Sequence, residues 1–247
     1  MTDGQEVRSL CGVILGNVAK SPYFCLGKKL DVCPIMKLII LDFDGTLADT
    51  RNLIVITMQQ TIQELGLEPR TDEQCAAMIG LPLKEAFTTL IPMTDEMGIR
   101  CADTYRQIFY KNNAVYTVPA FPNVIETLRK LSEKGYLLTI ASSRSHRSLV
   151  EFIENMNLQG VLTFVLGADD VTQAKPHPEP VLKTLEKFGC KASEAIVVGD
   201  TAYDIEMGRR AGVKTCGVTY GNGTRAELAR AGADFLLDDF GELLDIV

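Results

Sequence analysis

The sequence lacks tryptophan, has only two histidines, and has no run rich in lysine or arginine. A protein that binds nucleic acid needs a basic face for the phosphate backbone. The net charge of −7 therefore argues against nucleic acid as the main partner. With only His146 and His177 available, a histidine-based metal site is also excluded. A small phosphorylated substrate stays compatible, because it needs only a local positive pocket.

The sequence also gives no sign of disulfides, zinc clusters or membrane spans. The seven cysteines are odd in number, and no pair has the Cys-x-x-Cys spacing. Reduced thiols in a cytoplasmic protein are predicted, instead of a disulfide framework or a zinc site. No apolar run reaches the length of a membrane span, so no membrane partner is expected.

Residues 1–35 differ from the rest of the chain. Residues 10–16 form a short apolar patch, but Asp3 and Glu6 stand where a secretory signal carries positive charge. We predict that residues 1–35 are a poorly ordered N-terminal extension without a catalytic role. The folded part would then begin at residue 36.

From residue 36 onward, strand-like and helical patterns alternate. Such alternation predicts βαβ units and a doubly wound parallel sheet with helices on both faces. The strand patterns lie near residues 37–42, 136–141, 162–166, 195–199, 214–218 and 234–237. The helical patterns between them lie near residues 121–134, 147–156, 178–188 and 202–211.

One long segment breaks the alternation. It contains helical patterns near residues 53–65, 71–78, 83–90 and 95–113, and no strand pattern. We predict an all-helical insert at residues 51–116 and an α/β core built from residues 36–50 and 117–247. The connections would be residues 48–51 and the proline-containing segment 116–122.

Two acids follow the first apolar strand. Residues 38–41 are Leu-Ile-Ile-Leu, and Asp42 and Asp44 come directly after them. Ligands of α/β proteins bind beyond the carboxyl ends of parallel strands. Two carboxylates so close repel each other, so they need a cation, a shared proton, or both. On these residues alone, an ordinary strand followed by an Asp-Gly turn is the alternative.

Residues 42–50, Asp-Phe-Asp-Gly-Thr-Leu-Ala-Asp-Thr, resemble the first motif of the haloacid dehalogenase superfamily in its phosphatase form. Ser142, Lys175 and Asp200 match its three later motifs, in order. The similarity runs from about residue 36 to the C-terminus and is greatest to the phosphoglycolate-phosphatase-like branch with a helical C1-type cap. It implies a Rossmann-like core with the insert as cap.

The resemblance also implies residue roles in phosphoryl transfer. Asp42 would be the nucleophile that forms an aspartyl-phosphate. Asp44 would be the general acid and base, and Lys175 would bring positive charge to the reacting phosphate. Taken without the motifs, Lys175 would read as a solvated loop residue. The residues implied to bind the phosphate are Thr46, Ser142, Ser143 and Lys175.

A Mg²⁺ cofactor is implied by the same motifs. Its ligands would be Asp42, Asp200 and the backbone carbonyl of Asp44, an all-oxygen set that suits Mg²⁺. Asp204 lies one helical turn beyond Asp200, so it could orient Asp200 or a bound water. Capping or solvating the helix is the alternative role for Asp204.

Substrate specificity is expected to come from the cap and from the segment after Ser142. Residues 80–84, Gly-Leu-Pro-Leu-Lys, stand where this branch carries its specificity loop, which makes Leu81 and Lys84 candidates. An ordinary interhelical turn is the alternative. Arg144 could reach a second acidic group of the substrate, or be surface charge at a helix start.

These observations predict a Mg²⁺-dependent phosphomonoester hydrolase of a small phosphorylated metabolite, active as a monomer or small homo-oligomer. A β-phosphoglucomutase-like phosphotransferase and an inorganic pyrophosphatase share the same core motifs and stay open. A 2-haloacid dehalogenase is disfavoured, since that branch generally replaces the acid at the Asp44 position. A phosphometabolite sensor would typically have lost the nucleophile, the acid or the metal ligand, and here all are kept.

Overall fold

A computed structural model describes residues 37–247 of the chain. The prediction that residues 1–35 form a poorly ordered extension concerns residues outside this range. The described strands are β1 Leu38–Leu41, β2 Leu137–Ala141, β3 Leu162–Leu166, β4 Ala195–Gly199, β5 Lys214–Val218 and β6 Phe235–Leu237. The helices are α1 Arg51–Glu64, α2 Asp72–Ala76, α3 Leu83–Leu90, α4 Asp95–Asn113, α5 Val124–Glu133, α6 His146–Asn155, α7 Glu179–Phe188, α8 Ala202–Ala211 and α9 Arg225–Ala231. Short 3₁₀ turns span Ala168–Asp170, Ala192–Glu194 and Phe240–Asp245.

The six strands form one parallel sheet in the order β3-β2-β1-β4-β5-β6. Strand β1 pairs with β2 on one side and with β4 on the other, so the strand order reverses at β1. A crevice opens at such a reversal, beyond the carboxyl ends of the strands, and this is where α/β proteins bind ligands. The predicted doubly wound α/β core is confirmed.

Both faces of the sheet are buried, which explains the continuous apolar runs in its central strands. Along β1, Ile39 and Leu41 join one buried apolar cluster, whereas Leu38 and Ile40 join another on the opposite face. All four side chains are fully buried. The alternation follows from the two-residue period of a strand.

Of the five helices between β1 and β2 in the chain, the first four, α1 to α4, have a buried apolar cluster of their own. We call residues 51–113 the helical insert. Its entry and exit segments are joined by two backbone hydrogen bonds. The Asp49 amide donates to the Pro119 carbonyl and the Phe121 amide donates to the Leu47 carbonyl, each at 3.0 Å. The two connections therefore form a single paired joint.

The start of α5 differs from the predicted boundary. Helix formation was expected from residue 121, but α5 begins at Val124, after Asn123 with φ +61°. This left-handed conformation favours glycine, and asparagine is among the residues that tolerate it best. The side-chain amide of Asn123 also donates to the Asp239 carboxylate at 2.8 Å. The local backbone, more than helical propensity, sets where α5 begins.

Within residues 37–247, the four cysteines, Cys75, Cys101, Cys190 and Cys216, are free thiols. No helix in the same range is long and apolar enough to cross a membrane.

Candidate active site

Asp42 and Asp200 meet because their strands are neighbours in the sheet. Asp42 follows β1 and Asp200 follows β4, and the two strands pair in register with Leu41 opposite Val198. The Asp42 amide continues this pairing by donating to the Val198 carbonyl at 2.9 Å. Both acidic side chains are buried, with 4% and 0% exposure. The strand register therefore places two carboxylates at the point where the strand order reverses.

Lys175 links Asp42 to a third acid. Its ammonium lies 2.5 Å from Oδ1 of Asp42 and 2.6 Å from Oδ1 of Asp204, and all three side chains are buried. Burial alone would lower the pKa of Lys175, but the charges of Asp204 and Asp42 raise it above its ordinary value. Lys175 therefore stays positively charged inside an acidic cluster.

The Asp204 side chain is held by hydrogen bonds from Thr201, the residue that precedes helix α8. The backbone amide and the hydroxyl of Thr201 donate to Oδ2 of Asp204, at 3.1 and 2.7 Å. The other carboxylate oxygen faces Lys175. Asp204 thus does cap helix α8, and the same side chain also reaches the acidic cluster.

Asp200 is enclosed by a loop that follows β5. The backbone and side-chain amides of Asn222 donate to its Oδ2 at 2.7 and 2.9 Å, and the Thr46 hydroxyl approaches Oδ1 at 3.3 Å. Burial first, and then the charge of Asp204, raise the pKa of Asp200 to about 7, although the Asn222 hydrogen bonds oppose this. Asp200 is therefore a carboxylate whose charge calls for a nearby cation.

Glycines let the backbone approach Asp200 closely. Gly45 has φ +83°, and a Cβ there would lie 2.0 Å from Oδ2 of Asp200. A Cβ at Gly221 would lie 2.4 Å from Cβ of Asp200. Neither position has room for a side chain. Glycine is thus required after Asp44 for two reasons: the turn needs a positive φ, and the Asp200 side chain leaves no space for a Cβ.

The acidic cluster fits a hard divalent cation. Oxygens of Asp42, Asp200 and Asp204 lie within 4.8 Å of one another, and all three residues are buried. Burial and the neighbouring acids raise the pKa of Asp42 well above its ordinary value, although Lys175 offsets part of this. Such carboxylates need positive charge, and an all-oxygen set suits Mg²⁺. The grouped side chains include Asp204, whereas the sequence prediction used Asp44 through its backbone carbonyl.

Asp44 pairs with Arg144 and is not one of the three clustered acids. The Arg144 guanidinium makes a two-point ion pair with the Asp44 carboxylate, with Nε donating to Oδ2 at 3.1 Å and Nη2 donating to Oδ1. Only 7% of the Arg144 side chain is exposed. Arg144 is thus a buried partner of Asp44, and the alternative of a surface charge at a helix start is wrong.

Ser142 and Ser143 follow β2 and reach different parts of the molecule. Ser142 is buried, and its hydroxyl oxygen accepts from the Arg144 amide at 3.4 Å. The Ser143 hydroxyl donates to the Gly80 carbonyl at 2.7 Å. This bond joins the core to the predicted specificity loop of the helical insert. A Cβ on Gly80 would also lie 3.5 Å from the Thr201 side chain, next to Asp200.

The two specificity candidates in that loop lie nearer the surface. Leu81 is partly buried. The Lys84 ammonium pairs with Asp95 of the insert at 2.8 Å, and both side chains are substantially exposed. The structure therefore brings Gly80 to the core, and places Lys84 in an ion pair within the insert.

Sequence reasoning missed three residues at this site: Thr201, Asn222 and Phe109. The ring centre of Phe109 lies 4.8 Å from the central carbon of the Arg144 guanidinium. Asn222 lies in the segment Gly221-Asn-Gly223, which follows the apolar strand β5. A glycine-rich turn after a parallel strand was a usable signal, because such turns line the ligand crevice. Phe109 gave no comparable signal, since an aromatic residue in an amphipathic helix predicts only packing.

Known proteins resemble this chain in sequence and in fold. The sequence profile of the haloacid dehalogenase-like hydrolases matches residues 39–218, which contain Asp42, Asp44, Asp200 and Asp204. The chain belongs to this family. Its resemblance to the superfamily, first seen in four short motifs, is thereby confirmed.

Individual relatives are similar over most of the chain. Phosphoglycolate phosphatase of Aquifex aeolicus is 34% identical, with 75% of this chain and 86% of the relative covered. Pyrophosphatase PpaX of Anoxybacillus flavithermus is also 34% identical, covering 85% and 95%. A haloacid dehalogenase-like hydrolase from Streptococcus pneumoniae has a similar structure, with a TM-score of 0.76, 25% identity and coverage of 85% and 98%. This haloacid dehalogenase-like chain is an enzyme of the phosphatase type.

Proposed function

We propose that the protein is a Mg²⁺-dependent phosphomonoester hydrolase that acts on a small phosphorylated metabolite through an aspartyl-phosphate on Asp42. The observation that carries this proposal is the buried contact of Lys175 with Asp42 and Asp204, beside Asp200. The arrangement joins a nucleophilic carboxylate, a fixed positive charge and additional acids at one strand edge. Phosphoryl transfer depends on such positioning and charge stabilisation.

Two steps follow from the positions of Asp42 and Asp44. In the first, a carboxylate oxygen of Asp42 attacks phosphorus, and the bond to the leaving oxygen breaks as Asp44 gives that oxygen a proton. In the second, Asp44 takes a proton from water, whose oxygen attacks the phosphorus of the aspartyl-phosphate. Phosphate leaves and the Asp42 carboxylate is restored.

The remaining residues bind the phosphoryl group and balance charge. Lys175 already touches Asp42, so its ammonium is placed to contact the phosphoryl oxygens as the bond to Asp42 forms. Ser142, Ser143 and Thr46 are proposed as hydrogen-bond donors to the same oxygens. Ser143 would use its backbone amide, because its hydroxyl donates to the Gly80 carbonyl. Asp42, Asp200 and the Asp44 carbonyl would hold Mg²⁺, with Asp204 beside them. When bound, the ion supplies a Lewis acid that neutralises charge on the phosphoryl group.

The named relatives suggest two substrate candidates. A phosphoglycolate-like phosphomonoester is one, because a phosphoglycolate phosphatase covers 75% of this chain. Pyrophosphate is the second, since relatives named pyrophosphatase PpaX cover 85% of it. We propose Leu81 and Lys84 as the residues that select among such substrates. Arg144, the third candidate from the sequence, is paired with Asp44 and Ser148, so its effect on the substrate would pass through Asp44. A cytoplasmic location and a monomeric or small homo-oligomeric state are part of the same proposal.

The proposal is tested with purified protein and a panel of phosphorylated metabolites, including pyrophosphate, with and without Mg²⁺. We expect Mg²⁺-dependent release of phosphate from at least one small monoester, and a phosphorylated protein species trapped by rapid acid quench. Hydrolysis of pyrophosphate alone would favour the second candidate. Metal-independent turnover, or turnover without any phosphoenzyme, would contradict the proposed chemistry.

A further inference from the structure

The Arg144 guanidinium is held at every nitrogen. Nε and Nη2 donate to the two oxygens of Asp44, and Nη1 donates to the Ser148 hydroxyl at 3.2 Å. A guanidinium used in this two-point manner fixes the plane of its carboxylate partner. Each carboxylate oxygen still has a further lone pair for another partner. The pairing thus fixes the orientation of the Asp44 carboxylate.

Three aromatic rings surround the same guanidinium. Its central carbon lies 4.8 Å from the ring centre of Phe109, 4.9 Å from that of Phe152 and 5.8 Å from that of Phe43. These distances are within the range of cation–π attraction, which is stronger when the cation is desolvated. Phe43 and Phe152 belong to the α/β core, but Phe109 belongs to α4 of the helical insert.

Phe109 is also packed at the boundary between insert and core. It contacts both the apolar cluster of the core and that of the insert, and it stacks on Tyr105 with ring centres 5.8 Å apart. A shift of α4 relative to the core would therefore move one of the rings that hold Arg144. The chain Phe109–Arg144–Asp44 is a continuous physical contact from the insert to the proposed acid.

We propose that Phe109 and Arg144 are positioning residues that align the Asp44 carboxylate only when α4 of the insert is seated on the core. Proton transfer to the leaving group would then be efficient in the closed arrangement and poor in any other. An arginine that loses one of its packing faces regains side-chain freedom, so the two-point contact that orients Asp44 is populated less often. The inference rests on the proposed role of Asp44 as acid and base.

The test compares two aryl esters that differ in their need for a proton. The p-nitrophenolate ion leaves readily without one, whereas the phenolate ion is a poorer leaving group. We expect Phe109→Leu to lower kcat/KM for phenyl phosphate about tenfold, a fraction of the 10²–10⁴ range typical of general acid catalysis. For p-nitrophenyl phosphate we expect a change of less than about twofold, because that ester depends little on Asp44. Phe109→Tyr, which keeps the ring, should restore the phenyl phosphate rate.

Phe87→Leu is the matched control. Phe87 is fully buried in the apolar cluster of the insert and is not among the rings around Arg144. The Phe87→Leu substitution removes the same atoms from the insert as Phe109→Leu but keeps all three rings around Arg144. It therefore reports the effect of a loosened insert alone. An equal loss for both esters in Phe109→Leu, the same selective loss in Phe87→Leu, or a faster reaction in Phe109→Leu would overturn the inference.

Asp44→Asn separates this inference from the proposed function. We expect it to lower kcat/KM for phenyl phosphate far more than for p-nitrophenyl phosphate, and to leave Phe109→Leu without further effect in the double variant. If Asp44→Asn affects both esters alike, the assignment of Asp44 as acid fails. If Asp44→Asn behaves as expected and Phe109→Leu still lowers the rate in the double variant, only the positioning inference fails.

Discussion

The ammonium of Lys175 lies 2.5 Å from the carboxylate of Asp42, with both side chains buried at the carboxyl edge of the sheet. This contact aims the proposed nucleophile and offsets part of the rise in its pKa that burial causes, since a positive partner favours the charged form. In the proposed mechanism it also places the lysine beside the phosphoryl group that is transferred to Asp42. Substitutions in this pair should therefore affect both the stability of the folded protein and its turnover.

Asp42→Asn should abolish turnover and leave the fold intact. An amide has the shape of the carboxylate but cannot attack phosphorus. We expect steady-state hydrolysis of p-nitrophenyl phosphate to fall at least about a thousandfold, as is usual when a nucleophile is removed. Circular dichroism of the same sample serves as the folding control. Residual turnover at a few per cent of the original rate would rule out the covalent mechanism.

Lys175→Met should destabilise the metal-free protein. Removing one partner of a buried ion pair leaves uncompensated charge and costs about 3–5 kcal/mol. In EDTA we therefore expect urea unfolding at a lower midpoint, and we expect Mg²⁺ to recover part of the loss. Lys84→Met is the matched control, because Lys84 pairs with Asp95 at an exposed site. An equal fall in the unfolding midpoint for the two substitutions would show that the buried contact stabilises the protein no more than the exposed one.

Activity should require a hard divalent cation. EDTA should remove it, and Mg²⁺ should restore it. Ca²⁺ should compete with Mg²⁺, because calcium is larger and prefers more oxygen ligands. A second readout is thermal stability, which Mg²⁺ should raise in the unaltered protein and raise less in Asp200→Asn. Full activity after exhaustive chelation would contradict the metal assignment.

In EDTA, stability should fall as pH rises from about 4 to about 7. Burial and Asp204 raise the pKa of Asp200 to about 7 from an ordinary value of 3.8, so between these values the folded protein holds more protons than the unfolded chain. Stability then decreases with increasing pH across that window. Asp200→Asn should flatten this dependence. Thermal melts of both proteins across the pH range provide the measurement, and identical slopes would refute the shift.

The fold could be predicted because its signals are local. Apolar runs of four or five residues mark the buried parallel strands, and the acids that end them mark the ligand edge. Helix α9 escaped prediction because Arg225–Ala231 is only seven residues long, too short for a clear period. The start of α5 was placed too early because the left-handed Asn123 overrides helical propensity there.

The site was only partly predictable, because side-chain partners depend on distant parts of the chain. Asp44 and Arg144 are 100 positions apart, and nothing in either segment shows that they pair. The same holds for Asn222 and Asp200, which are 22 positions apart. Motifs identified which residues gather at the site. The sequence could not show which charge neutralises which.

The helical insert is expected to act as a lid whose joint lies at residues 48–51 and 116–122. Its entry and exit segments are hydrogen-bonded to each other, and the Gly80 carbonyl accepts from the Ser143 hydroxyl of the core. Closing a lid controls the access of water to a reactive acyl phosphate. Ser143 could therefore serve closure as well as phosphate binding.

Substitutions in the loop of residues 80–84 should change substrate choice more than generic turnover. We expect Leu81→Ala and Lys84→Ala to shift the kcat/KM ratio between two metabolites of the panel by about tenfold, a typical change for a few lost pocket contacts. Turnover of p-nitrophenyl phosphate should change by less than about threefold, because the Asp42 chemistry lies on the core. Lys111→Ala, an exposed change at the far end of α4, is the control. Parallel losses on every substrate would show that the loop only supports the fold, and the lid would then have no part in specificity.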